Sequence, residues 1–88
     1  MDTAQLDVTV APGLVDSEYY VMVNDGPSAY VDRRQVAVSN PPAPGSEVRG
    51  KVTVYVLDRS ANDVLVEIPG EAVIGGLRAR VPNALVTG

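Results

Sequence analysis

The chain is 88 residues long, with no cysteine, no histidine and a formal net charge of −4. That length holds one domain rather than two, and the missing thiols and imidazoles exclude disulfides, thiolate nucleophiles, the usual zinc ligands and a switch near neutral pH. An acidic balance repels a phosphate backbone and argues against nonspecific nucleic-acid binding.

The chain opens "MDTAQLDVTV", with no basic segment and no long apolar run, so no signal peptide is expected. No stretch approaches the roughly 18 apolar residues of a membrane span. The expected location is the cytoplasm, or a virion if the gene belongs to a phage. "LDVTV" (6–10) alternates, with Leu6, Val8 and Val10 on one face. Valine is stiff at its first side-chain torsion and suits a pleated, half-buried surface. "YYVMV" (19–23) is apolar on both faces and reads as a strand covered on both sides. "NDGPS" (24–28) is a turn, because Asp-Gly supplies the positive-φ position of a tight hairpin. "AYVDRRQVAV" (29–38) begins and ends as strand, and its alternation slips at Asp32-Arg33-Arg34, the mark of a bulge or bend.

"SNPPAPGSE" (39–47) is proline-rich and donates few backbone hydrogen bonds. Neither side of it is long enough for a domain, so it is expected to be a surface loop within one domain over 1–88. "KVTVYVL" (51–57) is the cleanest strand, with Val52, Val54 and Val56 on one face. "DRSAND" (58–63) is a polar loop, and "VLVEI" (64–68) alternates again. No window shows a helical period, and no internal repeat stands out. Short strands with frequent turn signals predict an all-β domain of five to seven strands, a small barrel, with a compact sandwich as the alternative.

The stretch "VEIPGEAVIGGLRARVPNALV" (66–86) tests whether glycines and arginines form a ligand loop. Gly70, Gly75 and Gly76 match neither the dinucleotide nor the nucleotide spacing, and no helix follows them. Ile68-Pro69-Gly70-Glu71 reads instead as a type II turn, and Gly75-Gly76 as a second reversal. In "LRARV" Leu77, Ala79 and Val81 face inward, while Arg78 and Arg80 face out as possible anion contacts. The last residues, Gly76, Val81, Pro82, Leu85 and Val86, form a pattern Gly-x-x-x-x-Val-Pro-x-x-Leu-Val. It resembles the C-terminal part of Src-homology-3-like small barrels, over about a dozen residues. The resemblance implies a strand, a Pro-led 3₁₀ turn and a closing short strand. The Ala-Leu-Tyr-Asp-Tyr-like opening, the loop Trp and the Tyr of the final turn are all missing, so it does not imply a groove for proline-rich peptides.

Catalytic signals are lacking. The carboxylate pairs Asp16/Glu18 and Asp58/Asp63 do not fit a calcium loop, no serine has a histidine partner, and Lys51 is the single lysine. The chain is therefore expected to be no enzyme and to hold no metal or cofactor. The first 47 residues carry Asp2, Asp7, Asp16, Glu18, Asp25, Asp32 and Glu47 against Arg33 and Arg34. Tyr19, Tyr20 and Tyr30 lie among these acids. Tyrosine beside acids on a hairpin makes a recognition surface for another protein. The expected function is a protein-binding module, an accessory subunit, adaptor or small inhibitor, using Asp16, Glu18, Tyr19, Tyr20, Asp25, Tyr30 and Asp32. Two alternatives stand beside it: a structural component of an assembly such as a phage particle, and an acidic nucleic-acid mimic. Valine-rich edges also predict homo-oligomers by strand pairing.

Overall fold

Valine alternating with polar residues gives strands nearly everywhere the sequence predicts them. The computed structural model describes residues 2–88. It contains β1 (Thr3–Pro12), β2 (Glu18–Met22), β3 (Ser28–Asp32), β4 (Val36–Ala37), β5 (Val48–Arg59), β6 (Asp63–Glu67), β7 (Gly70–Ile74), β8 (Arg78–Pro82) and β9 (Val86–Thr87). Single-turn 3₁₀ segments at Arg33–Gln35 and Asn83–Leu85 are the helical elements among the described residues. The fold is all-β. Seven strands have five residues or more, and the other two are two-residue closures.

The strands form one antiparallel sheet in the order β7-β3-β2-β1-β5-β6-β8, with β9 on β1 and β4 on β5. The sheet curls into a half-barrel, so the core lies inside one sheet and not between two. Leu6, Val10, Val21, Val31, Val52, Val54, Val64, Val66 and Ile68 are fully buried on its inner face. Each such side chain contributes about 1.5–3 kcal/mol of transfer free energy. "YYVMV" is not covered on both sides: Tyr19, Val21 and Val23 are buried, while Tyr20 and Met22 are half-buried on the outer face.

Of the two alternatives at Asp32-Arg33-Arg34, bulge or bend, the chain takes the bend, as a 3₁₀ turn. Asp32 ends β3 and accepts a hydrogen bond from the Arg34 N–H at 2.8 Å, which caps the turn. One further expectation changes: Pro69-Gly70 is not a type II turn, since Gly70 is not among the positive-φ glycines. The chain bends there and leaves the β6–β8 ladder, which ends at Ile68 N–H to Leu77 O, 2.8 Å. It then adds β7 to β3, with Val31 opposite Gly70 and Tyr30 opposite Glu71. A Cβ on Gly70 would lie 2.3 Å from the Tyr30 carbonyl oxygen, so this close approach requires glycine. The reversal itself falls at Gly75-Gly76, both at positive φ.

The sheet also contains a repeat that the sequence hides. β1-β2-β3-3₁₀-β4 and β5-β6-β8-3₁₀-β9 are the same motif. Within them Val23 N–H to Pro27 O (2.9 Å) matches Ile68 N–H to Leu77 O (2.8 Å), and Arg33 N–H to Ser17 O (3.0 Å) matches Asn83 N–H to Asn62 O (3.2 Å). The residue before each 3₁₀ turn has the same backbone, φ −55 and ψ 135 at Asp32 against φ −58 and ψ 142 at Pro82. The halves exchange their last strands. Val36 of β4 pairs with Val52 of β5, and Val86 of β9 pairs with Leu6 of β1. Leu6 is itself opposite Val52, so a local two-fold relation passes through the β1–β5 pair.

Candidate functional site

The outer face of the β2–β3 hairpin gathers part of the predicted site. Glu18 lies opposite Asp32, Tyr20 opposite Tyr30, and Met22 opposite Ser28. Opposed residues share a face, so these six side chains form three rungs. The Tyr20 and Tyr30 rings are tilted with centroids 5.3 Å apart, and the Tyr20 hydroxyl donates to Ser28 Oγ at 2.7 Å. That bond fixes the ring orientation at low entropic cost on later binding. β7 extends the surface by placing exposed Glu71 beside Tyr30. Sequence reasoning missed Glu71 because it is distant in the chain and reaches Tyr30 only through the bend at Pro69.

The remaining predicted residues separate from this patch. Tyr19 alternates onto the inner face, is 5% exposed, and carries the Arg33 guanidinium 4.5 Å from its ring centroid. It works as a plug at the end of the core, with Arg33 stacked on it as a cation over an aromatic face. Asp16 lies in the β1–β2 loop and Asp25 in the β2–β3 turn, at opposite ends of β2. Five strand residues hold them about 17 Å apart, so they do not join one cluster. Asp25 takes φ 56, the turn position. Asp32 is engaged locally: its carboxylate accepts from Arg34 Nε at 3.2 Å and Nη2 at 3.1 Å. Those hydrogen bonds hold its pKa below the ordinary carboxylate value and raise that of Arg34.

Arg78 and Arg80 stand on the exposed face of β8, as the alternation predicts, and both meet acids of this chain. Arg78 Nε donates to Glu67 Oε1 at 2.9 Å. Arg80 donates to Asp63 at 2.9 Å and to Asp58 at 3.3 Å. The Asp63 pKa is lowered by its hydrogen bond from Ser60 and then by Arg80, whose own pKa is raised by Asp63 and Asp58. Three carboxylates against two guanidiniums leave no excess positive charge for an anion at this patch.

A second feature had no sequence signal at all. An open cleft of about 630 Å³ lies over the central strand pair, lined by Asp7, Lys51, Arg49, Gly50, Ala37, Val38, Ser39 and Leu85. Lys51 donates to Asp7 in its floor. The two-fold counterpart of that ion pair is neutral: Gln5 Nε2 donates to Thr53 Oγ1 at 2.8 Å. Only the folded topology brings together residues from β1, β4, β5 and the second 3₁₀ turn. Among the described residues no group of three or more acidic side chains is placed to hold a metal ion, and no helix is long and apolar enough to cross a membrane. Compared with known proteins, the chain matches no family model, no curated protein and no solved structure.

Proposed function

We propose that this chain is a non-enzymatic protein-binding module whose contact surface is the outer face of the β2–β3–β7 sheet. The observation that carries the reading is the Tyr20–Tyr30 pair, held by Ser28 and bordered by Glu18 and Glu71. Rigid tyrosines supply large contact area with few torsions to freeze, and flanking acids favour a basic partner surface. The partner is another protein. The small-barrel likeness to Src-homology-3-like domains is carried as a reading of fold alone, since fold does not fix function.

The test is capture of partners from host lysate by the wild-type chain and by Tyr30→Ala. A partner that binds the wild type, is released by high salt and is lost with Tyr30→Ala supports the surface. A partner held equally by both chains rejects it. Salt screens exposed charges, so the salt step reports whether the contact is electrostatic, as flanking Glu18 and Glu71 require.

A second reading, a repeated component of a larger assembly, is favoured by a different observation. β7 and β8 end the sheet with free edges, and Val73 and Ile74 on β7 are exposed. The nucleic-acid mimic has less support, because Asp7 and Asp32 are paired with Lys51 and Arg34, and Asp16 and Asp25 lie in loops at opposite ends of β2.

A further inference from the structure

The two halves of the sheet differ at one place. In the first half, the outer edge of β3 is filled by β7. In the second half, the equivalent edge belongs to β8, and among the described residues β8 pairs only with β6. The ladder pattern shows which groups are left. Ile68 and Leu77 form a hydrogen-bonded pair, so Ala79 and Val81 also direct their backbone groups to β6. Antiparallel bonding alternates residue by residue, which turns the N–H and C=O of Arg78 and Arg80 to the open edge. The matching residues on β3 are Ser28 and Tyr30, and Tyr30 lies directly opposite Glu71 of β7. What β3 receives from its own chain, β8 lacks.

We infer that the open edge of β8 accepts the free outer edge of β7 from a second copy of this chain, in head-to-tail strand addition. This inference rests on the assembly reading and names its partner. Three observations choose the occupant. The counterpart edge on β3 already takes this strand through its inner edge, so the segment "GEAVI" pairs in extended form with an edge of this kind and leaves its other edge free. β7 is itself the other terminal strand and carries no lysine or proline to block pairing. Its Val73 and Ile74 are 47% and 65% exposed, apolar surface that its own chain does not cover.

The same alternation sets the pairing at the start of β7. Glu71 directs its backbone to Tyr30, so Ala72 directs its own outward. Ala72 of the second copy then lies opposite Arg80; beyond it β7 carries a bulge, with Ala72 opposite Ala29 but Ile74 opposite Ser28 in its own chain, so Val73 and Ile74 do not continue the alternation and serve as apolar surface beside the contact. The interface is heterologous: each copy presents one β7 and one β8. Such a contact propagates into a closed ring or an open filament, according to the rotation between copies.

The experiment measures mass by light scattering and sedimentation over a wide concentration range. The wild type is expected to rise above the 9.2 kDa monomer with concentration. Ala72→Pro removes the outward donor of β7, and Arg80→Pro removes that of β8, neither of which bonds a strand within its own chain. Each variant alone is expected to stay monomeric with an unchanged far-ultraviolet spectrum. Mixed, the two variants are expected to form a dimer and nothing larger, because one intact β7 and one intact β8 remain. Arg80→Ala keeps the backbone donor and is expected to associate like the wild type, which separates loss of the donor from loss of the side chain, while the mixed dimer shows that both proline variants are folded. A wild type that is monomeric at every concentration overturns both this inference and the assembly reading. Oligomers that persist in both proline variants, or an Arg80→Ala chain that no longer associates, overturn the β7–β8 contact and leave assembly by another surface.

Discussion

Leu6 lies directly opposite Val52, and each is the other's counterpart in the two halves of the chain. Across the sheet the row continues to Val86 beside Leu6 and to Val36 beside Val52. Four strands therefore meet at one apolar row, two from each half, with Leu6 and Val52 both fully buried at its centre. Each half completes its sheet with a strand from the other, and neither has a closed core by itself.

Leu6→Ala is expected to destabilise the fold by about 2–5 kcal/mol, the range for a buried leucine whose cavity cannot fully collapse. Val52→Ala should act in the same direction and by less. Urea unfolding followed by Tyr fluorescence and by circular dichroism gives the values. Both variants should retain one coincident transition. A biphasic curve, with one half melting before the other, contradicts the exchange of β4 and β9 as the link between halves.

Cleavage in the loop 39–47 gives a second check on that link. A protease site placed between Ala43 and Ser46 lies in exposed loop outside every strand. The nicked halves are expected to co-elute and keep the β spectrum, because β1 and β5 stay paired from Thr3↔Tyr55 to Val10↔Val48 and β4 and β9 cross over. Urea midpoints of nicked protein should fall with dilution, since unfolding now separates two chains. Separation of the halves on a sizing column without denaturant contradicts the arrangement.

The alternation of Val52, Val54 and Val56 is enough to locate β5, and that of Leu77, Ala79 and Val81 is enough to orient Arg78 and Arg80. Such signals are legible because a strand buried on one face writes its period directly into the sequence. The repeat is not legible, because only positions turned toward the core match. Val8 and Val54, Val21 and Val66, Ala29 and Ala79, Val31 and Val81, and Val36 and Val86 are equivalent pairs. Valine and alanine are so common here that their matching carries little information. The outer faces diverge freely: Tyr20 stands where the second half has Leu65, Tyr30 where it has Arg80, and Asp32 where it has Pro82. Asp32 and Pro82 start the same 3₁₀ turn by different means, one by a carboxylate cap and the other by a fixed φ. The Tyr20–Tyr30 rung follows from reading a hairpin around "NDGPS". Glu71 beside it depends on a bend at Pro69-Gly70, and that dipeptide looks the same in a local turn.

Gly70→Ala is expected to detach β7 from β3. The added methyl meets the Tyr30 carbonyl oxygen at 2.3 Å and its carbon at 3.2 Å, so backbone and not a flexible side chain must move. The cost should be about 1–3 kcal/mol, in the range of overpacked sites. Amide exchange distinguishes local from global loss: Glu71 should lose protection while Val64 and Val66 in β6 keep theirs. Gly45→Ala is the control, since a Cβ there has open space and only positive φ to contend with. Equal protection at Glu71 in Gly70→Ala and wild type removes the close approach as the reason for glycine.

Acid stability should depend on Asp32 and Asp63. Hydrogen bonds lower both folded pKa values, from Arg34 to Asp32 and from Ser60 and Arg80 to Asp63. A carboxylate whose folded pKa lies below its unfolded value, near 3.9, favours folding wherever the unfolded chain would bind more protons. The contribution is therefore complete above the unfolded value and is lost as pH falls through the lower folded values. Both residues are surface groups, so the effect is small and screened by salt. Asp32→Asn and Asp63→Asn should each flatten the fall in urea midpoint below about pH 4. Asp32→Asn keeps a capping side chain for the Arg34 N–H, which separates the charge from the cap. An acid limb identical in wild type and the double variant assigns the pH dependence to other carboxylates.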